Sequence, residues 1–254
     1  MKIKSLFAAA LALLTLAGCD QVKENDRYVA VEGEISSTRV VLLEDFTGQR
    51  CTNCPNAHRT VQQIKERYGH QVVCVSIGSG ALGIAFPRGL KTQQGERYAV
   101  AAGITTWPSG IVNRATSPLD YGDWMGSVKT ALKNDPKVLL SLDARIADGK
   151  VSVSAEMDPK ENINGSLQLW LVQNDVIASQ LDNGTEIADY SHQDVFRACI
   201  NGQNGETVSL VAGEKKTMTG ELAIDSRWTG GDFVVVGFVY DGTGVLQAAE
   251  VHAR

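Results

Sequence analysis

Beyond a polar lead-in, the pattern of apolar positions changes once, near residue 136. Before that point long apolar runs alternate with stretches of helical period. Val40 to Phe46 is a continuous β-favouring run of the kind buried on both faces of a sheet. Ala57, Val61, Ile64 and Tyr68 then recur at helical intervals, and Gly69 closes the segment as a C-cap. Gln71 to Ile77 is a second apolar run, and strand, helix, strand in this order predicts a parallel pair. A second helix is expected from Thr92 to Ala102, a short strand over Gly110 to Asn113, and a third helix marked by Trp124, Val128, Ala131 and Leu132 and stopped at Asp135-Pro136. The glycine-rich stretch from Gly78 to Lys91 has no period, and its length points to a functional loop of unassigned role.

After Pro136 the period becomes two. Val138 to Ile146 and Val151 to Met157 alternate around the turn signal Asp148-Gly149. Further strands are expected at Leu167 to Gln173, Val195 to Ile200, Thr207 to Val211, Lys216 to Ile224, Phe233 to Tyr240 and Val245 to Val251. Many short strands with turn signals and little helix predict a β-sandwich.

The N-terminus follows different rules. Lys2 and Lys4 precede an apolar run from Leu6 to Leu16, too short to span a bilayer, which takes about 20 residues. The run ends in Leu16-Ala17-Gly18-Cys19, which resembles the bacterial lipoprotein box. That resemblance implies cleavage before Cys19, acylation of its sulfur, and an exported protein held to a membrane by lipid. Asp20 to Glu34, polar and charged, reads as a tether.

Composition narrows the partners. The 254 residues suit two domains, and 43% hydrophobic with 21% charged residues is the balance of a chain that builds a substantial core. With 24 basic against 29 acidic residues, a net charge of -5 and no basic stripe, nucleic acid is not expected as a partner. Export places the cysteines where disulfides persist. Once Cys19 is assigned to lipid, Cys51, Cys54, Cys74 and Cys199 remain, and spacing favours Cys51 with Cys54. Cys74 reads as a buried inert thiol in a strand, and Cys199 is left free.

The candidate chemistry lies in Cys51-Thr52-Asn53-Cys54. At a helix start, the dipole and Arg50 favour the Cys51 thiolate, which is the nucleophilic form. Three readings stay open: a redox dithiol, a structural disulfide, or half a zinc site whose second pair is not visible. No cofactor is expected. His58 reads as a solvated or capping residue, and Asp182 to Glu186 as a turn rather than a calcium loop.

At these residues the chain resembles the thioredoxin-like superfamily: a buried strand, Asp45-Phe46 ahead of the first cysteine, the cysteine pair, and an amphipathic helix. The resemblance implies that Trp107-Pro108 is a cis-proline loop that orients an incoming peptide, with Pro108 against the sulfurs. It also implies that Asp45 is a buried acid that helps deprotonate Cys54. The sequence departs from that pattern in carrying Arg50 before the pair, Pro55 after it, and the glycine-rich insertion.

The lipobox, the segment Glu44 to Gly48 before the cysteines, and the run Tyr190 to Arg197 followed by Asn201-Gly202 are similar to one family. It is the outer-membrane lipoprotein family of Bacteroides-type bacteria named for a twenty-eight-kilodalton outer-membrane protein. His192 and Arg197 match a recurring pattern there without an assigned role. The expected fold class is α/β plus all-β: a signal peptide over 1–18, a lipidated tether over 19–35, a thioredoxin-like domain over 36–136 and an antiparallel β-sandwich over 137–254. Two functions follow: an anchored thiol-disulfide oxidoreductase acting on protein disulfides through Cys51, Cys54, Pro108 and Asp45, or a cell-surface binding or adhesion lipoprotein with a structural Cys51–Cys54 bond. Oligomeric state is left open.

The anchor is testable directly. Cys19→Ala is expected to move the protein into soluble fractions or leave it unprocessed, as membrane fractionation would show. A mature N-terminus found elsewhere, and unmodified, by mass spectrometry would contradict it.

Overall fold

The computed structural model describes residues 35–254, which belong to one compact unit, Glu34–Arg254. The leader, Cys19 and the polar tether lie outside the described residues. Strand β1 (Val41–Thr47) is buried along its whole length. It leads through a turn to α1 (Cys54–Tyr68) and on to β2 (Val72–Gly78), which lies parallel to β1 with Val41 opposite Val72 and Thr47 opposite Gly78. The parallel pair is what the sequence pattern predicts. Helix α2 (Gln93–Ala101) is capped by Thr92, whose hydroxyl accepts from the Gly95 amide. β3 (Ser109–Val112) then runs antiparallel along the other side of β1, pairing Phe46 with Ser109, and α3 (Tyr121–Ala131) follows.

The remaining strands are β4 (Val138–Ala147), β5 (Lys150–Pro159), β6 (Ile163–Gln173), β7 (Val176–Asp182), β8 (Thr185–His192), β9 (Val195–Cys199), β10 (Glu206–Leu210), β11 (Lys216–Ala223), β12 (Phe233–Asp241) and β13 (Gly244–His252). Asp148 and Gly149, both with positive φ, form the β4–β5 turn where the sequence places it.

The expected fold class is corrected by the sheet order. A single mixed sheet runs β13-β12-β6-β9-β2-β1-β3, with β10 added on β6, so strands from before and after Pro136 share one ladder. Among the described residues thirteen strands stand against three α-helices, and no separate N-terminal thioredoxin-like α/β domain is present. The physical reason lies in β2. Its edge away from β1 would present a row of unpaired backbone groups, and β9 comes alongside it through the pairing of Ser76 with Val195.

The core is shared in the same way. Leu42, Phe46, Val73, Val75 and Ile77 from the first half pack with Trp170, Phe196 and Phe238 from the second. Trp170 meets Phe196 edge-on at 5.2 Å and Phe238 at 4.8 Å between ring centroids. Arg114, in the turn after β3, pins this junction: it donates to Glu44 of β1 at 3.1–3.3 Å and lies 4.7–5.3 Å from the ring centroids of Tyr98, Trp170, Phe238 and Tyr240. The sandwich part agrees with expectation. The sheet β11-β5-β4 packs through Val151, Val153, Ala155 and Met157 against Leu167, Leu169, Val235 and Val239 of the large sheet. The hairpin β7–β8 forms a third sheet of its own, which the sequence pattern does not predict.

The opposite face of the β1–β2 pair carries α1 and α3. Val41, Leu43, Val72 and Cys74 pack there with Ala57, Ile64, Trp124 and Val128. Gly110 of β3 lies so close under Trp124 that a Cβ would overlap the indole ring, whose Nε1 donates to the Leu119 carbonyl at 3.1 Å. Gly110→Ala is therefore expected to destabilise the fold by about 1–3 kcal/mol in urea unfolding, the usual range for overpacking. An unchanged midpoint would show that α3 moves aside freely.

Candidate functional site

The site begins at the C-terminal end of β1. Gly48 allows the chain to turn there, because a Cβ would come within 2.7 Å of the Leu82 carbonyl carbon. The Cys51 amide donates back to the Gly48 carbonyl at 3.0 Å, and Cys51 and Cys54 form a disulfide with a Cα–Cα distance of 5.4 Å. Cys54 opens α1 with Pro55 beside it, a residue suited to the first helical turn because that turn leaves amides unpaired. The first turn of α1 carries no acidic side chain, so the positive end of the helix dipole is not offset there. Both cysteines are buried, at 2% and 0% exposure.

Two segments close over this turn. From the glycine-rich stretch the Arg50 amide is met by the Leu82 carbonyl at 2.9 Å, and Gln49 Oε1 accepts from the Leu90 amide at 2.9 Å. That segment thus clamps the disulfide loop. From the other side comes β7, whose Leu181 amide donates to the Gln49 carbonyl at 2.8 Å, while Gln180 Nε2 donates to the Cys51 carbonyl at 3.0 Å.

The period of two along β1 sends Leu42 and Phe46 to the aromatic core and Val41, Leu43 and Asp45 to the α1 side. Asp45 is fully buried, and neither carboxyl oxygen has a hydrogen-bond partner. Burial, then the nearby Asp194 charge, raise its pKa to about 8, against a weaker lowering by the Ser76 hydroxyl. It is mostly protonated at neutral pH. His58 stands 3.8 Å from Asp45, with Nε2 at 3.0 Å from the Thr47 hydroxyl and Nδ1 at 2.9 Å from the Tyr190 hydroxyl. Burial, with the nearby His192 and Arg59, pulls its pKa down to about 3. His192 lies 6.2 Å from the His58 ring and is held near 4, chiefly by burial. A cavity of about 160 Å³ opens among His58, Lys65, Tyr190, His192 and Asp194. Lys65 and Asp194 form an ion pair beside it at 2.6 Å.

Of the residues singled out from sequence, Cys51 and Cys54 are bonded, and Asp45 sits on the strand that feeds their loop. Pro108 immediately precedes β3, whose first residue pairs with Phe46, and the Trp107–Pro108 bond is cis. Trp107 Nε1 donates to Ser79 Oγ at 3.0 Å. Cys74 is buried on β2 with its thiol pKa raised by burial, and Cys199 meets the Tyr98 hydroxyl at 3.0 Å. Asn183 and Gly184, with positive φ, make the turn between β7 and β8. His58 is only partly exposed and caps nothing; it bridges β1 and the hairpin. Its signal was the spacing of four from Cys54, which puts both on one helix face. Tyr190 and His192, two apart on a strand, likewise share a face. Among the described residues no three His, Cys, Asp or Glu side chains are grouped as metal ligands. A wider cleft of about 800 Å³ lies elsewhere, between α3 and the start of β13, and none of its walls carries a cysteine.

Residues 95–253 match the family model described as outer membrane protein Omp28. The chain belongs to the Omp28 family. Its place is accordingly the outer membrane, although no helix among the described residues is long and apolar enough to cross a membrane. The Omp28 match covers Pro108, Gln180, Tyr190 and His192 but begins after Asp45 and the cysteine pair. No curated protein matches the sequence. Among solved structures, HBP35 of Porphyromonas gingivalis superposes with a TM-score of 0.69 at 15% identity, over 87% of this chain and 77% of that one. Protein AGR_C_4864 from Agrobacterium tumefaciens gives 0.53 at 17% identity, over 85% of this chain and 96% of that one. Both likenesses concern the fold alone. A domain of the outer membrane lipoprotein Omp28 from P. gingivalis is 20% identical over 48% of this chain and 91% of that one, with a TM-score of 0.34.

Asp45 makes a prediction with a definite sign. Its folded-state pKa is raised from 3.8 to about 8, so its contribution to stability is fully present below about pH 4 and is lost as pH rises through 8. Asp45→Asn is expected to be more stable than the parent at pH 9 by an amount on the order of a few kcal/mol, with the gain vanishing near pH 4, in urea unfolding across that range. A pH-independent difference would mean that Asp45 ionises at its ordinary value.

Proposed function

We propose that this Omp28-family protein carries out thiol–disulfide exchange at the outer membrane, anchored by lipid on Cys19, with Cys51 as the attacking sulfur and Cys54 as the resolving one. The observation that carries the reading is Asp45, a buried carboxyl without hydrogen bonds on the strand that leads into the cysteine loop. Such a group costs stability, and a purely structural disulfide has no use for it, whereas a dithiol that gains and loses protons does. The bond also makes a poor staple. With a sequence separation of 3, it removes only about 2 kcal/mol of unfolded-chain entropy, against about 3 for a fifteen-residue loop.

In the reduced protein the Cys51 thiolate attacks one sulfur of a substrate protein disulfide. That bond breaks, the departing substrate sulfur takes a proton, and a mixed disulfide forms. Cys54 then gives its proton to the ionised fraction of Asp45 and attacks the Cys51 sulfur, and the second substrate sulfur leaves as a thiol. Two electrons and two protons pass to the substrate, and the pair returns to the disulfide, to be reduced again by an external dithiol. Pro108, just ahead of the β3 residue that pairs with Phe46, is assigned to present the substrate backbone.

The burial of both cysteines favours a second reading, in which the disulfide holds the helix start and the β-rich part binds a surface partner through its loops. One pair of measurements separates the two. Cys54→Ser is expected to accumulate mixed disulfides through Cys51, and the wild-type pair to equilibrate with glutathione. No trapped partner, together with a potential below about -300 mV, would leave the binding reading standing.

A further inference from the structure

The hairpin over the cysteines is built as an arm. It branches from β6 and β9, where Gln173 and Val195 are paired, and leaves the large sheet through Asn174-Asp175 and Gln193-Asp194. Asp175 and Asp194 have φ of 53° and 57°, a left-handed kink on each side that ends one ladder and starts another. The two corners are tied to each other: Gln193 Nε2 donates to Asp175 Oδ1 at 2.8 Å, and the Asp194 amide donates to Asn174 Oδ1 at 2.8 Å. A short two-stranded ladder thus stands on a narrow base.

Its contacts with the cysteine loop are polar. Besides the Leu181 and Gln180 bonds, the Asn183 amide donates to the Thr52 carbonyl at 3.2 Å, the Gly184 amide to Thr52 Oγ1 at 2.8 Å, and Gln49 Nε2 to the Ser179 carbonyl at 2.9 Å. Tyr190 adds its bond to His58. Apolar burial is slight, because Ile177 is exposed and Val176 and Ala178 join only a small cluster with Leu90 and Val195. A segment held by hydrogen bonds rather than by core packing opens at lower free energy than the sheet beneath it. Gln180 is the arm's buried polar anchor. A bulge between Ala178 and Gln180 turns it inward, where Nε2 reaches the Cys51 carbonyl while the buried Oε1 has no partner.

We propose that the β7–β8 hairpin is a hinged cap over the Cys51–Cys54 disulfide, with Gln180 as its latch, so that opening of the arm sets how fast a thiol reaches the sulfurs. Its use to the protein rests on the exchange reaction proposed above; the cap itself does not. It also accounts for a reactive pair that is buried in the closed state.

The test follows loss of the disulfide in the full chain against dithiothreitol concentration, by thiol labelling and mass spectrometry. The wild-type rate is expected to level off as dithiothreitol rises, because opening becomes limiting, and Gln180→Ala is expected to raise that plateau at least tenfold. A wild-type rate proportional to dithiothreitol throughout, and unchanged by Gln180→Ala, would overturn the cap. Should the variant not fold, hydrogen exchange of the wild type decides. The Leu181, Asn183 and Gly184 amides are expected to exchange together and well before those of β6 and β9, and exchange only in step with those strands would overturn it. A levelling rate combined with no trapped partner for Cys54→Ser would remove the exchange reaction and leave the cap in place.

Discussion

Burial of β1 and β2 on both faces is the constraint from which the rest of the molecule follows. A strand with one wet face can carry a charge outward; these two cannot, so every second residue must enter one of two different cores. Leu42 and Phe46 enter the aromatic core, Val41 and Leu43 the layer under α1 and α3. The two acids of β1 are forced inside by the same alternation and meet opposite fates. Glu44 finds the Arg114 guanidinium at 3.1 Å, whereas Asp45 finds no hydrogen-bond partner. A single step along one strand separates a structural ion pair from a carboxyl shifted to about 8.

The same constraint unites the chain. Because β2 cannot leave its edge bare, β9 docks beside it, and with β9 come β6, β12 and β13. The corner between β6 and β9 then has to lie next to the C-terminal end of β2, and its extension, the β7–β8 hairpin, falls across the cysteine loop. The lid over the disulfide is thus a geometric consequence of how the large sheet is completed. It also joins the segment matched by the Omp28 family model to the cysteine segment that precedes that match.

The polar groups at the site are held in costly states. Asp45 and His192 are buried and His58 is half-buried, with the acid pushed up to about 8 and the two imidazoles pushed down to about 3 and 4. In each case burial is the leading cause, and it favours the neutral form. Near pH 7 the cluster therefore carries little charge. The ion pair of Lys65 and Asp194 sits at its margin and ties α1 to the base of the hairpin. The long-range bonds from Tyr190 and Gln180 reach α1 and the cysteine loop from more than a hundred residues away.

Local rules were enough for most of the elements. The apolar runs, the helix periods with the C-cap at Gly69, the Asp148-Gly149 turn and the favoured Cys51–Cys54 pairing are all properties of short windows, where backbone preference and side-chain spacing decide. The hairpin β7–β8 escaped because few of its residues are buried and a bulge breaks their alternation. The role of His58 is not legible locally because its partners, Thr47 and Tyr190, come from a preceding strand and a distant one. The expected α/β plus all-β fold class failed for a related reason: a change of hydrophobic period marks where helices give way to strands, but carries no information on which strands pair. Residue type and local spacing settled where the helices and most of the strands lie, and favoured the Cys51–Cys54 pairing. Strand order, the shared core, the state of Asp45 and the cover over the disulfide were settled by tertiary structure alone, since each depends on buried edges and dehydrated charges that exist only once distant segments have met.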